Sequence, residues 1–121
     1  MARILIIDDD SISRDIFREI LEDSGHQIIE AGDSESGLKE FREFHIDLVI
    51  TDLFMPEKGG LQVIQNIREQ NLDIGIIAVS GMTVEGKKQI FEAARNSGAS
   101  HTLEKPVKPD ELRKAVVSLL S

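Results

Sequence analysis

Short apolar runs, rich in β-branched residues and bounded by turn formers, recur along the chain at Arg3–Ile7, Gln27–Glu30, Ile46–Thr51, Ile74–Val79 and Ser100–Leu103. In the first, third and fourth, the apolar positions are consecutive rather than alternating: Ile4-Leu5-Ile6-Ile7, Leu48-Val49-Ile50 and Ile76-Ile77-Ala78-Val79. A strand apolar on both faces belongs in the middle of a parallel sheet with helices on either side. The stretches between the runs follow a helical period. Ile12, Ile16, Phe17, Ile20 and Leu21 form one stripe, which Gly25 closes. Ser34 is placed to cap a helix carrying Leu38 and Phe41, and Leu61, Ile64 and Ile67 follow Gly59-Gly60. Ile90, Ala93, Ala94 and Ser97 precede Gly98. Leu112, Ala115, Val116, Leu119 and Leu120 follow Pro109, which suits a first helical turn, with Asp110 and Glu111 beside the positive helix end. Strands alternating with helices predict a doubly wound α/β fold. With no repeat, linker or low-complexity segment, the 121 residues are expected to form one domain over 1–121, leaving no room for a second.

Composition narrows the chemistry. An apolar content of 40% supports a packed core, which must be aliphatic plus five Phe, because Trp and Tyr are absent. The absence of Cys excludes disulfides and thiolate metal sites. No apolar run approaches the length of a signal peptide core or a membrane span, so a soluble, cytoplasmic protein without a membrane partner is expected. A net charge of −8 argues against nucleic acid as a partner, since that needs clustered Lys and Arg.

In a doubly wound sheet, ligands bind beyond the carboxyl ends of the strands. Those ends carry Asp8-Asp9-Asp10, Thr51-Asp52 and Ser80-Gly81, and Lys105-Pro106 follows the last strand. Asp10 is also placed to cap the helix that begins near Ser11. Clustered carboxylates repel one another unless a hard cation or raised pKa values relieve them. Mg²⁺ fits such a set, because it takes oxygen ligands and readily adds a phosphate oxygen. One carboxylate can then act as nucleophile while the cation, Lys105 and Ser80 neutralise the transferring oxygens. The constellation reads as phosphoryl transfer to an aspartate.

Ile4 to Asp10, Asp47 to Pro56, Ala78-Val79-Ser80-Gly81, and Gly98-Ala99-Ser100 through Lys105-Pro106 together resemble the receiver domains of two-component response regulators. The resemblance runs in order over essentially the whole chain. It implies a flavodoxin-like sheet of five parallel strands in the order 2-1-3-4-5. By residue it implies Asp52 as phosphoacceptor, Asp9 as a direct Mg²⁺ ligand, Asp8 as its neighbour, and the backbone carbonyl of Phe54 as a further ligand. Ser80 matches the hydroxyl that moves to the phosphoryl group, and Lys105 the cation that pairs with it. Lys105-Pro106 is implied to be cis. A sensor histidine kinase or His-phosphotransfer protein is implied as donor. A downstream target or output domain would be contacted through the fourth helix, fifth strand and fifth helix, where Phe91 is expected near the edge of the buried stripe. The protein would catalyse its own phosphorylation and slow dephosphorylation without being a turnover enzyme.

The sequence departs from the family at two places. The switch position on the fifth strand, usually aromatic, is Thr102, and Gly59 stands where many members have Asp. Phe54 and Met82 occupy the positions that tune hydrolysis, and neither can orient a water by a strong hydrogen bond, so a long-lived phosphorylated state is expected. An aspartate-nucleophile phosphohydrolase would need an acid two residues after the nucleophile, where Phe54 stands. A dinucleotide site would need a Gly-x-Gly-x-x-Gly turn after the first strand, where three acids stand instead. A receiver-like module that is never phosphorylated usually lacks one of the acids, the hydroxyl or the lysine, and all are present here.

Overall fold

Among the described residues of the computed structural model (1–55, 59–81 and 84–121, with Val84 and Glu85 described by their backbone alone), strands and helices alternate from end to end. In chain order they are β1 (Arg3–Ile7), α1 (Ser11–Asp23), β2 (Gln27–Ala31), α2 (Ser34–Glu43), β3 (Leu48–Asp52), α3 (Gly60–Gln70), β4 (Gly75–Ser80), α4 (Val84–Ser97), β5 (His101–Glu104) and α5 (Pro109–Leu120). The strands form one parallel sheet in the order β2-β1-β3-β4-β5. The consecutively apolar runs are thus the three interior strands, as a sheet covered on both faces requires.

Alternation along those strands divides the core in two. Ile4, Ile6, Leu48, Ile50, Ile77 and Val79 point to the side of α1 and α5, where Phe17, Leu21, Leu112 and Val116 meet them. Leu5, Ile7, Val49, Ile76 and Ala78 point to the other side, against Leu38, Val63, Ile64, Ile67 and Ala94 of α2, α3 and α4. Each fully buried Ile or Leu contributes about 2 kcal/mol from the transfer of its apolar surface out of water.

Several local expectations are corrected. The strands at β3 and β4 start later than their apolar runs, because Ile46 and Ile74 are buried in the core without belonging to the paired strands. Ile12 and Ile16 do not join the buried stripe of α1: they are 68% and 48% exposed, and Phe17, Ile20 and Leu21 carry the packing. Ser34 is not the cap of α2 but its first residue. The cap is Asp33, whose carboxylate accepts the Ser36 N–H at 2.7 Å. Asp10 caps α1 as expected, accepting the Ile12 N–H at 3.0 Å. At the other end of α1, Gly25 adopts φ 88°, and the His26 N–H turns back to the Leu21 carbonyl. On α4 the expected stripe is less deeply buried than its periodicity implies. Among the described side chains of that helix only Ala94 is fully buried, while Ile90 and Phe91 both pack partly buried against the core.

Candidate functional site

The carboxyl edge of the sheet gathers the polar residues. β1 ends one residue before Asp8, while Asp52 and Ser80 are the last residues of β3 and β4. Parallel register pairs Asp52 with Val79, so Ser80 lies one step beyond Asp52 on the adjoining strand. The Leu53 N–H donates to the Val79 carbonyl at 2.9 Å, and the Lys105 N–H to the Ser80 carbonyl at 2.8 Å, which joins the exits of β3, β4 and β5. The α3 N-terminus sits directly over this edge. A Cβ on Gly60 would fall 2.1 Å from the Asp52 carbonyl oxygen, so only glycine permits that approach.

Asp8, Asp52 and Ser80 are buried, whereas Asp9 is exposed. One oxygen from each of Asp8, Asp9 and Asp52 lies within 4.8 Å of the others. Lys105 Nζ donates to Asp8 Oδ2 at 2.9 Å and faces Asp52 Oδ2 at 3.4 Å. The remaining oxygens are oriented by backbone: Asp8 Oδ1 accepts the Asp10 N–H at 2.9 Å, and Asp52 Oδ1 accepts the Phe54 N–H at 3.2 Å. The Lys105–Pro106 peptide is cis.

Burial pushes the Asp52 carboxyl above the ordinary carboxylate range, and the charge of Asp8 adds to it. The Lys105 ammonium and the Phe54 N–H act in the opposite direction without cancelling the rise. Burial alone would lower the Lys105 ammonium, but its hydrogen bond to Asp8 and the charges of Asp52 and Asp8 outweigh that and raise it. Lys105 is therefore a permanent cation opposite two buried acids. One ammonium against three clustered acids leaves negative charge uncompensated. The donors are carboxylate oxygens throughout, so the residues fit a hard divalent cation such as Mg²⁺, with exposed Asp9 on the open side.

Of the other expected residues, Thr102 lies on β5 and accepts a hydrogen bond from Arg95 Nη1 of α4 at 3.3 Å. Leu103 packs among the α1 and α5 side chains, so Thr102 and Glu104 turn toward α4, where Lys87 Nζ meets Glu104 Oε2 at 2.6 Å. Phe91 is on α4 and packs partly buried against the core, and Phe54, two residues after Asp52, is 46% exposed. Met82 and Pro56 lie outside the described residues. Sequence reasoning missed Arg14, whose Nη1 donates to the Asp8 carbonyl at 2.5 Å. Its only sequence signal is the four-residue spacing to Arg18 on one helix face.

Comparison with known proteins agrees with this geometry. The family model of the response regulator receiver domain matches residues 4–117. The polar-differentiation response regulator DivK of Brucella ovis is 28% identical over 119 residues, covering 97% of this chain and 94% of that protein. The CAI-1 autoinducer sensor kinase/phosphatase CqsS of Vibrio cholerae is 30% identical over 116 residues, covering 96% of this chain and 17% of that protein. A crystal structure of a response regulator receiver domain protein from Clostridium thermocellum matches with a TM-score of 0.91 at 31% identity, over 99% of this chain and 94% of that one. The chain spans half or less of the length of several curated relatives that it matches.

Proposed function

The chain belongs to the response regulator receiver domain family, and from that premise we propose that it is a phosphorylation-dependent signalling switch whose acceptor is Asp52. The observation that carries the reading is the meeting of Asp8, Asp52 and Lys105 at the carboxyl edge of the sheet, with Ser80 one residue past the acceptor's strand partner.

In the reaction, an Asp52 carboxylate oxygen attacks the phosphorus of a phosphohistidine donor. The P–N bond breaks, the imidazole leaves and takes up a proton, and an acyl phosphate remains on Asp52. The Phe54 N–H holds one Asp52 oxygen, which leaves the carboxylate in a fixed orientation for attack. Lys105 is positioned to exchange its contact with Asp52 for the incoming phosphoryl oxygens, and the Ser80 hydroxyl would donate to another. Mg²⁺ bound by Asp8, Asp9, Asp52 and the Phe54 carbonyl would supply further neutralisation of the phosphoryl charge. The domain acts on itself rather than turning over a substrate.

A protein donor suits the surroundings of the acceptor. Half-exposed Ile16 of α1 lines an apolar groove of about 300 Å³ together with Lys105, Pro106 and Val107, and Ile12 of the same helix is exposed. Apolar surface of that kind beside an acidic site favours a protein partner over bulk solvent. The similarity to a stretch of a sensor kinase supports a histidine kinase or His-phosphotransfer protein in that role. Signal output is assigned to the face of α4, β5 and α5, through a target or an output domain. Thr102 is tied to α4 by Arg95 there, so any change at Ser80 is read through a polar link instead of an aromatic rotamer.

Intact-protein mass spectrometry after incubation with acetyl phosphate and Mg²⁺ tests the proposal. A phosphoryl adduct in the wild type that is absent from Asp52→Asn is expected. Equal labelling of the variant would sink the acceptor assignment, release of phosphate with turnover would indicate a hydrolase, and no labelling of the wild type would indicate an interaction module.

A further inference from the structure

We propose that Arg14, clamped by Glu30, is a positioning residue for the metal site, acting by holding the carbonyl of Asp8. The inference rests on Asp8, Asp9 and Asp52 being the Mg²⁺ site. Arg14 lies on the first turn of α1 and reaches back, with Nη1 donating to the Asp8 carbonyl. The same guanidinium donates through Nε to Glu30 Oε1 at 3.1 Å, and the two side chains are only 20% and 24% exposed. Glu30 is on β2, paired in register with Ile6 of β1, so a rigid strand sets its place. Its second oxygen meets Arg18 Nε at 3.0 Å, and Arg18 Nη2 donates to the Ile28 carbonyl at 3.2 Å. A Cβ on Gly32 would stand 3.4 Å from Arg14 Nη1, so the guanidinium passes close over the β2–α2 turn.

The consequence for the metal follows from the geometry of the peptide. The Asp8 carbonyl belongs to the planar unit that also carries the Asp9 nitrogen. Asp9 is exposed and lies outside every helix and strand, so the direction of its carboxylate depends on that plane. Asp8 is already held at both carboxylate oxygens, by the Asp10 N–H and by Lys105. Arg14 fixes the third handle, the carbonyl, and so completes the orientation of the Asp8-Asp9 pair. Glu30 is shared with Arg18 and offsets only part of the Arg14 charge, so a loss of Mg²⁺ affinity on removing this cation would report direction and not field. A planar fork that spans a carboxylate and a carbonyl is a task for Arg, which Lys performs poorly.

The test is Mg²⁺ affinity, measured by calorimetry on the full chain. Arg14→Met should raise Kd about 10-fold or more, the range found when partners that orient metal ligands are removed. Arg14→Lys should fall between Arg14→Met and wild type. Glu30→Gln, which keeps the shape but releases the clamp, should weaken Mg²⁺ in the same direction and gives a reading even if Arg14→Met fails to fold. Arg18→Met breaks the same ion-pair network without touching Asp8 and should leave Kd within about 2-fold, well below the effect of removing an orienting partner. Wild-type affinity in both Arg14→Met and Glu30→Gln would overturn the inference, as would an equal loss in Arg18→Met. A wild-type protein that binds no Mg²⁺ would instead overturn the metal reading beneath it.

Discussion

Phe54 shows how one residue can serve a site through its backbone while its side chain sets a different property. Its N–H orients Asp52, yet the residue is nearly half exposed and its ring carries no polar atom to hold an attacking water. Hydrolysis of an aspartyl phosphate needs a water aligned with the bond that breaks, and a misplaced reactant costs on the order of 10²-fold in rate. The phosphorylated protein is therefore expected to persist, and Phe54→Asn combined with Met82→Glu to shorten its life by roughly ten-fold or more, part of that positioning effect. Decay of phospho-Asp52 followed by mass spectrometry decides it; equal lifetimes would place control of water elsewhere. Asp8, Asp9, Asp52, Ser80 and Lys105 could all be found by residue type, since each follows or ends an apolar run. Arg14 could not, because its role depends on a carbonyl, which every residue has, and on Glu30 sixteen positions away.

The helices differ in how they are held, and that difference makes testable claims. Asp33 caps α2, and the Ser36 N–H and hydroxyl on its carboxylate keep its pKa below the ordinary aspartate value. A lowered acid stabilises the fold above its unfolded pKa and loses that contribution as pH falls through its folded pKa. Asp33→Ala should thus lower the melting temperature near neutral pH, with the difference shrinking below the ordinary aspartate pKa. A pH-independent difference would show that the cap's charge is irrelevant. For α4, partial burial of Phe91 gives a second expectation. Phe91→Ala should cost on the order of 1 kcal/mol, short of the ~3–5 kcal/mol of a fully buried Phe. It should also weaken target binding while phosphoryl uptake is unchanged. A loss of stability at the higher figure, with binding unaffected, would make Phe91 a core residue only. Neither helix was fully legible in advance. Ser34 and Asp33 are both competent caps, and only the turn geometry chose between them. Periodicity names the inward face of a helix but not the depth to which it is buried.

At the scale of the whole molecule, the acids that follow β1 and the one that ends β3 repel one another at the sheet edge, and a cation that binds only the folded chain must stabilise all of it by mass action. Mg²⁺ at 100 times its Kd should add about 2.7 kcal/mol, visible as a rise in melting temperature that Asp9→Ala nearly abolishes. An equal rise in both proteins would mean that the ion binds elsewhere. The sequence by itself determined the alternation of strands and helices, which strands are interior, and the polar residues at the strand ends. These are consequences of local periodicity and of solvent exclusion, which act on neighbouring residues and so leave a pattern along the chain. Among the described residues, no helix is long and apolar enough to cross a membrane. Only the tertiary structure decided that Lys105 is shared between Asp8 and Asp52, that Gly60 must be bare for α3 to close over Asp52, that Thr102 is tied to Arg95, and that Ile12 and Ile16 stay in solvent. Each of these joins residues of different elements, or depends on what covers a helix face. Sheet order and packing across the two layers set such distances, and nothing in a local pattern encodes them.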